Sequence, residues 1–291
     1  MIRRRTAVRR RIAVATWRPS RDGRIYARME VDATAALAYL ARVRAETGER
    51  VTLTHVVGAA LGRALREVPE IRARVVLGRL VPLETCDVGF AVDIGAGSDL
   101  APVKVADVDR LSPLEVARAV DAGVARLRGG HDPAHRRTSG LVRLMPSWTM
   151  RPVMATASLV AGGLGRGLLG QPGFPLGTAF VSNVGNLGLD EAFLAPLPFA
   201  RTPVYLAVGA VQDKAVVVEG DVVARPVLVL VATADHRIVD GVHAGRMATV
   251  VRELLTHPER LDSPTTPSIA PPSSSNTASP GGVPSGLREW D

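Results

Sequence analysis

The sequence predicts an α/β chain in which a mixed sheet is covered by flanking helices. Three observations carry this. Val- and Ala-rich runs with strand-like patterning recur between Gly, Asp and Pro turns; stretches with apolar residues at helical spacing alternate with them. Hydrophobic residues make up 46% of the 291 and charged residues 22%, a balance that allows one large core with attachments.

The elements follow in order. Residues 24–33, "RIYARMEVDA", alternate as a half-buried strand does, and a helix runs from Ala33 to Gly48, where glycine ends it. "VTLTHVVGAALGRALREVP" is a second helix stopped by Pro69. Strand-like runs come next: "RARVVLG", "LVPLETCDVGFAVDI" and, after the turn-rich "GAGSD", "LAPVKVAD". Ser112 opens a third helix, "SPLEVARAVDAGVARLRGG", with Pro at its first position and Glu115 at capping-box spacing. Residues 176–184, 203–219 and 222–234 read as strands, and "GVHAGRMATVVRELL" as the last helix.

Two segments stand apart. Leu141–Gly173 is apolar but broken by Pro, Gly and three arginines, too short between Arg151 and Arg166 for a membrane span, and is expected to be a lid or a subunit contact. Residues 263–291 are dominated by Pro, Ser, Thr and Gly and are expected to form a disordered tail. The domain proper is therefore placed at 1–262.

The formal charge of +8 does not by itself mark a nucleic-acid binder. The chain has two lysines, Lys104 and Lys214, and its many arginines are scattered without interleaved aromatics or a reading motif. Cys86, the single cysteine, lies in an apolar run, so an intrachain disulfide is excluded and a buried thiol in a reducing, cytoplasmic setting is expected. The basic start "MIRRRTAVRRR" is followed by too short an apolar stretch for a secretion signal.

The chemistry-bearing stretch is "ADHRIVDGVHAGRM". An imidazole can take and return a proton near neutrality when a second group fixes its ring, and Asp240 stands four residues after His236. Asp240 also precedes a helical pattern, where a carboxylate caps well, so capping alone would account for it. His243, a turn into the helix, is expected to point toward packing or solvent, without a role. Ser182, beside Asn and Gly at a strand end, has its own bland reading, a hydroxyl bonded to its local turn.

"DHRIVDG" resembles the active-site signature of the acyltransferase core of 2-oxoacid dehydrogenase complexes, and "HRIVDGVHAGRM" is similar to chloramphenicol acetyltransferase as well. "FVSNVGNLG" resembles the strand carrying the oxyanion-binding serine in both families. "EVDATAALAYLARVR" and "DLAPVKVADVDRLSPLEVA" resemble their first strand and helix and their central strand and following helix. The likeness covers nearly all of residues 9–261.

The resemblance implies a chloramphenicol acetyltransferase-like α/β sandwich assembled as a trimer, with donor and acceptor entering a channel between subunits. It implies His236 as general base and Ser182 as oxyanion donor from a neighbouring subunit. Asp240 would be an organiser ion-paired to Arg10, with Arg9 and Arg11 close behind. Coenzyme A would be the substrate thiol or thioester, with no metal required. The alternative is a non-catalytic core or scaffold subunit of such an assembly. "QDKAVV" looks superficially like a lipoyl-lysine hairpin, but Lys214 falls where the family has a connecting turn, so no lipoate is expected on this chain. No lipoyl domain is expected ahead of the core, so lipoyl domains of other chains are the expected partners. The 141–173 segment departs from the short connection the family would have before the serine strand.

Overall fold

The computed structural model describes residues 23–93, 100–128, 147–167 and 173–263. The expectations for Arg9, Arg10 and Arg11, for the tail beyond Ser263 and for parts of the 141–173 segment fall outside these residues.

The expected elements form with sharper boundaries. Strand β1 (Arg24–Asp32) leads into helix α1 (Thr34–Thr47), whose start is held by the Asp32 carboxylate accepting from the Thr34 amide at 2.8 Å. Helix α2 (Leu53–Glu67) follows. The run 80–94, expected as one strand, is two: β2 (Ala73–Val76) and β3 (Arg79–Pro82) make a small hairpin, and β4 (Val88–Asp93) belongs to the main sheet. Between them residues 83–87 are tied elsewhere, the Asp87 carbonyl accepting from the amide of Thr178. Strand β5 (Leu100–Val105) and helix α3 (Pro113–Arg128) come next, and the predicted capping box at Ser112 is present: Glu115 Oε2 accepts from the Ser112 amide at 2.8 Å and Ser112 Oγ accepts from the Glu115 amide at 3.3 Å.

The described part of the 141–173 segment is helix α4 (Ser147–Ala157), which contains Pro152 and runs into a wider turn over Ser158–Gly163. Strands β6 (Ala179–Asn183), β7 (Val204–Val218) and β8 (Asp221–Asp235) and helix α5 (Gly241–Thr256) complete the fold. The main sheet runs β1-β8-β7-β6-β4-β5, with β6 parallel to both its neighbours and the other pairs antiparallel.

The core lies between this sheet and the helices. Helix α2 is buried over nearly its whole length, and its small residues let it approach the sheet: a side chain at Gly58 would overlap the Phe90 ring of β4. Helix α5 buries Met247, Val250, Val251, Leu254 and Leu255 in the same core. Along β6 and β7 alternate residues divide between two layers: Val181, Leu206 and Val208 face the helices, while Tyr205 and Ala207 face the loop between β6 and β7.

Cys86 is buried as expected, and burial pushes its thiol up to about 11, leaving it protonated near neutral pH. Lys214 is not in a turn. It lies inside β7, opposite Arg225 of β8, with its ammonium 2.6 Å from Glu30 of β1; β7 continues through the expected turn because its Val-rich second half pairs with β8 to Val218. Among the described residues no helix is long and apolar enough to cross a membrane.

Candidate active site

His236 is the first residue after β8. Its amide donates to the Gly23 carbonyl at 3.1 Å, which ties the turn to the entry of β1. Its Nδ1 lies 3.0 Å from the carbonyl oxygen of Val239. A carbonyl can only accept, so this contact requires the proton on Nδ1; in the neutral ring Nε2 then keeps its lone pair. The side chain is exposed, and the chemistry of a base is available at Nε2.

Asp240 is the N-cap of α5. Its carboxylate accepts from the His243 amide at 2.9 Å, and its own amide donates to His243 Nδ1 at 3.3 Å. The hydrogen bond from the His243 amide is the main reason its carboxyl sits below the ordinary aspartate range. His243, expected to carry no role, is thus half of a reciprocal capping box. The signal was in the sequence: Asp-x-x-His repeats the Thr52-x-x-His55 spacing at α2, where the Thr52 amide likewise donates to His55 Nδ1 at 3.3 Å. Both boxes put an imidazole where Glu or Gln usually stands.

Ser182 sits near the end of β6. Because Val181 faces the helices, Ser182 faces the other side of the sheet. Among the described residues its hydroxyl has no hydrogen-bond partner. The local turn that the bland reading assigned to it is closed by Asn183 instead, whose Oδ1 accepts from the Asn186 amide at 3.0 Å while its Nδ2 donates to Thr54 at 2.7 Å. The following loop rests on a bulge in β7: the Ala210 amide donates to the Leu189 carbonyl, and a side chain on Gly209 would overlap the Asp190 carbonyl oxygen.

The register fixes how far apart the serine and histidine are. Ser182 pairs with Ala207, which pairs with Val231, five residues before His236. Two strand spacings across and five residues along give a separation of roughly 19 Å. Within one chain, therefore, these side chains do not come into hydrogen-bonding reach.

Two spaces lie nearby. An apolar cavity of about 200 Å³ separates β1, β8 and β7 from α5, lined among others by Ile25, Leu206, Leu230, Met247 and Val251. A groove of about 520 Å³ runs beside Asn183 and Asn186 between α1, the start of α2 and the β7 bulge, and carries Arg44 and Arg50. Its two guanidinium groups suit an anionic group on a ligand.

A family model described as 2-oxoacid dehydrogenases acyltransferase (catalytic domain) matches residues 4–136 and 163–262. The dihydrolipoyllysine-residue acetyltransferase component of the Bacillus subtilis pyruvate dehydrogenase complex is 25% identical over 237 residues, 80% of this chain and 44% of its own length. The chain thus spans less than half of the curated relatives it matches. Among solved structures, a probable dihydrolipoamide acetyltransferase from Listeria monocytogenes superposes with a TM-score of 0.63 at 18% identity, covering 90% of this chain and 94% of the other. The dihydrolipoamide acetyltransferase of Azotobacter vinelandii gives 0.65 at 17%, with the same coverages.

Proposed function

The chain belongs to the family of 2-oxoacid dehydrogenase acyltransferase catalytic domains, and from that premise we propose that it passes an acyl group between a thioester and a thiol, with coenzyme A as one carrier. The carrying observation is the His236 ring, pinned through Nδ1 to the Val239 carbonyl with Nε2 left as the base. The Azotobacter structure was determined to examine a serine, a histidine and an asparagine in catalysis; that histidine and asparagine are four residues apart, as His236 and Asp240 are.

In this reading Nε2 of neutral His236 takes the proton of the acceptor thiol as its sulfur attacks the thioester carbonyl. The oxyanion that forms is met by the Ser182 hydroxyl of an adjacent protomer, a donor of the kind that contributes about 3 kcal/mol. The intermediate collapses, the donor sulfur leaves, and the imidazolium returns the proton to it. Asp240 holds the turn that carries the base, and Arg10 would be the cation that meets Asp240 from the N-terminal segment.

The roughly 19 Å between Ser182 and His236 within one chain supports a site shared between chains, in keeping with the homotrimer, or larger assembly of trimers, that the family resemblance implies. Lipoyl domains of other chains would be acyl partners, in a cytoplasmic setting that the buried thiol of Cys86 suits. The domain is assigned to residues 1–262, with 141–173 as a lid or subunit contact and 263–291 as a tail.

The test is acyl transfer from acetyl-coenzyme A and longer acyl-coenzyme A thioesters to dihydrolipoamide and to a panel of thiols and amines. Wild type turns over at least one pair, and His236→Ala loses about 100-fold or more while remaining folded and oligomeric. A wild-type protein inert toward every pair, or a His236→Ala variant equal to wild type, overturns the reading in favour of a scaffold.

A further inference from the structure

The Val239 carbonyl and the Asp240 amide are two ends of one peptide group, and each end is bonded to an imidazole. The carbonyl accepts from His236 Nδ1 at 3.0 Å, and the amide donates to His243 Nδ1 at 3.3 Å. In a trans peptide these two groups point in opposite directions, so the plane sits between the rings. From this we infer that His243 is a positioning residue for the base: by accepting the Asp240 amide it fixes the tilt of the peptide whose carbonyl sets the His236 tautomer. The inference rests on the proposed role of His236 for its consequence in catalysis, but its geometry does not.

Three features support this. Asp240 lies at the N-cap with extended backbone, so its amide precedes the helix ladder and has no carbonyl partner from α5. The His243 ring is held within the first turn, with 23% of its side chain exposed, and so does not wander freely in solvent. Hydrogen bonds in series polarise one another, so an acceptor on the amide makes the carbonyl at the other end of the same peptide a better acceptor for His236. His243 Nδ1 also lies 2.9 Å from Asp240 Oδ1. That second contact is a hydrogen bond only when Nδ1 carries a proton; in the Nε2–H tautomer of the neutral ring, the state this positioning role requires, Nδ1 accepts from the Asp240 amide.

The cap itself does not depend on the ring. The Asp240 carboxylate accepts from the backbone amide of His243, which any residue there supplies, so His243→Ala leaves α5 capped and the protein folded. Gln at this position reproduces the acceptor through its amide oxygen, as in an ordinary capping box.

The experiment compares wild type, His243→Ala and His243→Gln in the full assembled chain, with histidine rings labelled with nitrogen-15. The deciding readout is the pair of His236 ring nitrogen shifts, assigned with His236→Gln, at a pH where the ring is neutral. In wild type Nδ1 reads as protonated and Nε2 as bare. His243→Ala shifts the ring toward a mixture of tautomers, and His243→Gln restores the wild-type pattern. Acyl transfer is read alongside: kcat falls about tenfold in His243→Ala with KM unchanged, and recovers in His243→Gln. A His236 ring that keeps its wild-type tautomer in His243→Ala overturns the inference, whatever the activity. An inactive wild type with the tautomer shift intact would sink the proposed function alone.

Discussion

Ser182 and His236 of one protomer lie on opposite sides of β7, displaced along the sheet by five residues of strand register, at a separation of roughly 19 Å. If the two act on one substrate, they come from different chains. Co-assembly of Ser182→Ala and His236→Ala protomers then regenerates sites in which an intact histidine faces an intact serine. Random mixing gives roughly a quarter of wild-type activity, from two proteins each nearly inactive alone. Co-expression with two affinity tags, followed by the coupled thioester assay, measures it. No recovery in verified mixed assemblies would place each complete site inside one chain.

Asp240 separates capping from charge. Its carboxylate accepts the His243 amide at the start of α5, so Asp240→Ala costs about 1 kcal/mol of stability, whereas Asp240→Asn keeps an equally good cap and costs little. In urea unfolding the alanine variant has the lower midpoint with an unchanged slope. Activity in Asp240→Asn stays within a few-fold of wild type if the residue serves only to hold the turn. A collapse in activity without a loss of stability would instead assign the negative charge a direct part, as the expected pairing with Arg10 implies.

Much of the fold was legible because local signals and tertiary demands agree. Ser112 and Glu115 announced a capping box and made one; Gly48 and Pro69 marked the ends of α1 and α2. What was not legible depends on partners distant in sequence. Pro82 was a local mark of the break in 80–94, but where β4 restarts depends on the Asp87 carbonyl pairing with Thr178 some ninety residues later. The strand past Lys214, by contrast, was legible in its Val-rich run, against the connecting turn that the resemblance implied there, and its register with β8 and the ion pair to Glu30 hold it. For the proposed site, His236, Asp240 and Ser182 were named from motifs, but the separation of Ser182 from His236 came only with the sheet order. His243 was passed over because a histidine at the third helical position is not the usual capping-box residue.

Gly209 holds the loop that follows Ser182. The β7 bulge brings it against the Asp190 carbonyl, and a methyl group there forces either the bulge or residues 184–190 to move. Gly209→Ala is therefore expected to cost about 1–3 kcal/mol. It should lower acyl transfer more than Gly58→Ala does at matched stability, because Gly58 touches the Phe90 ring well inside the core. Equilibrium unfolding paired with kcat for both variants checks this; equal losses of activity per unit of stability would remove the loop from the site.

His55 makes the start of α2 sensitive to acid. It is buried at the start of α2, accepts the Thr52 amide through Nδ1, and burial pushes its pKa down to about 4 from an ordinary value of 6.5. The folded state therefore holds a neutral ring where the unfolded chain binds a proton. Stability from this residue is complete above pH 6.5 and is lost as pH falls toward 4, by about 2 kcal/mol between pH 7.5 and 5. His55→Gln keeps an acceptor for the Thr52 amide but does not titrate. Urea unfolding of both proteins across that range should show wild type losing about 2 kcal/mol more than the variant. Parallel pH profiles would mean that the folded protein protonates this ring as readily as the unfolded chain does.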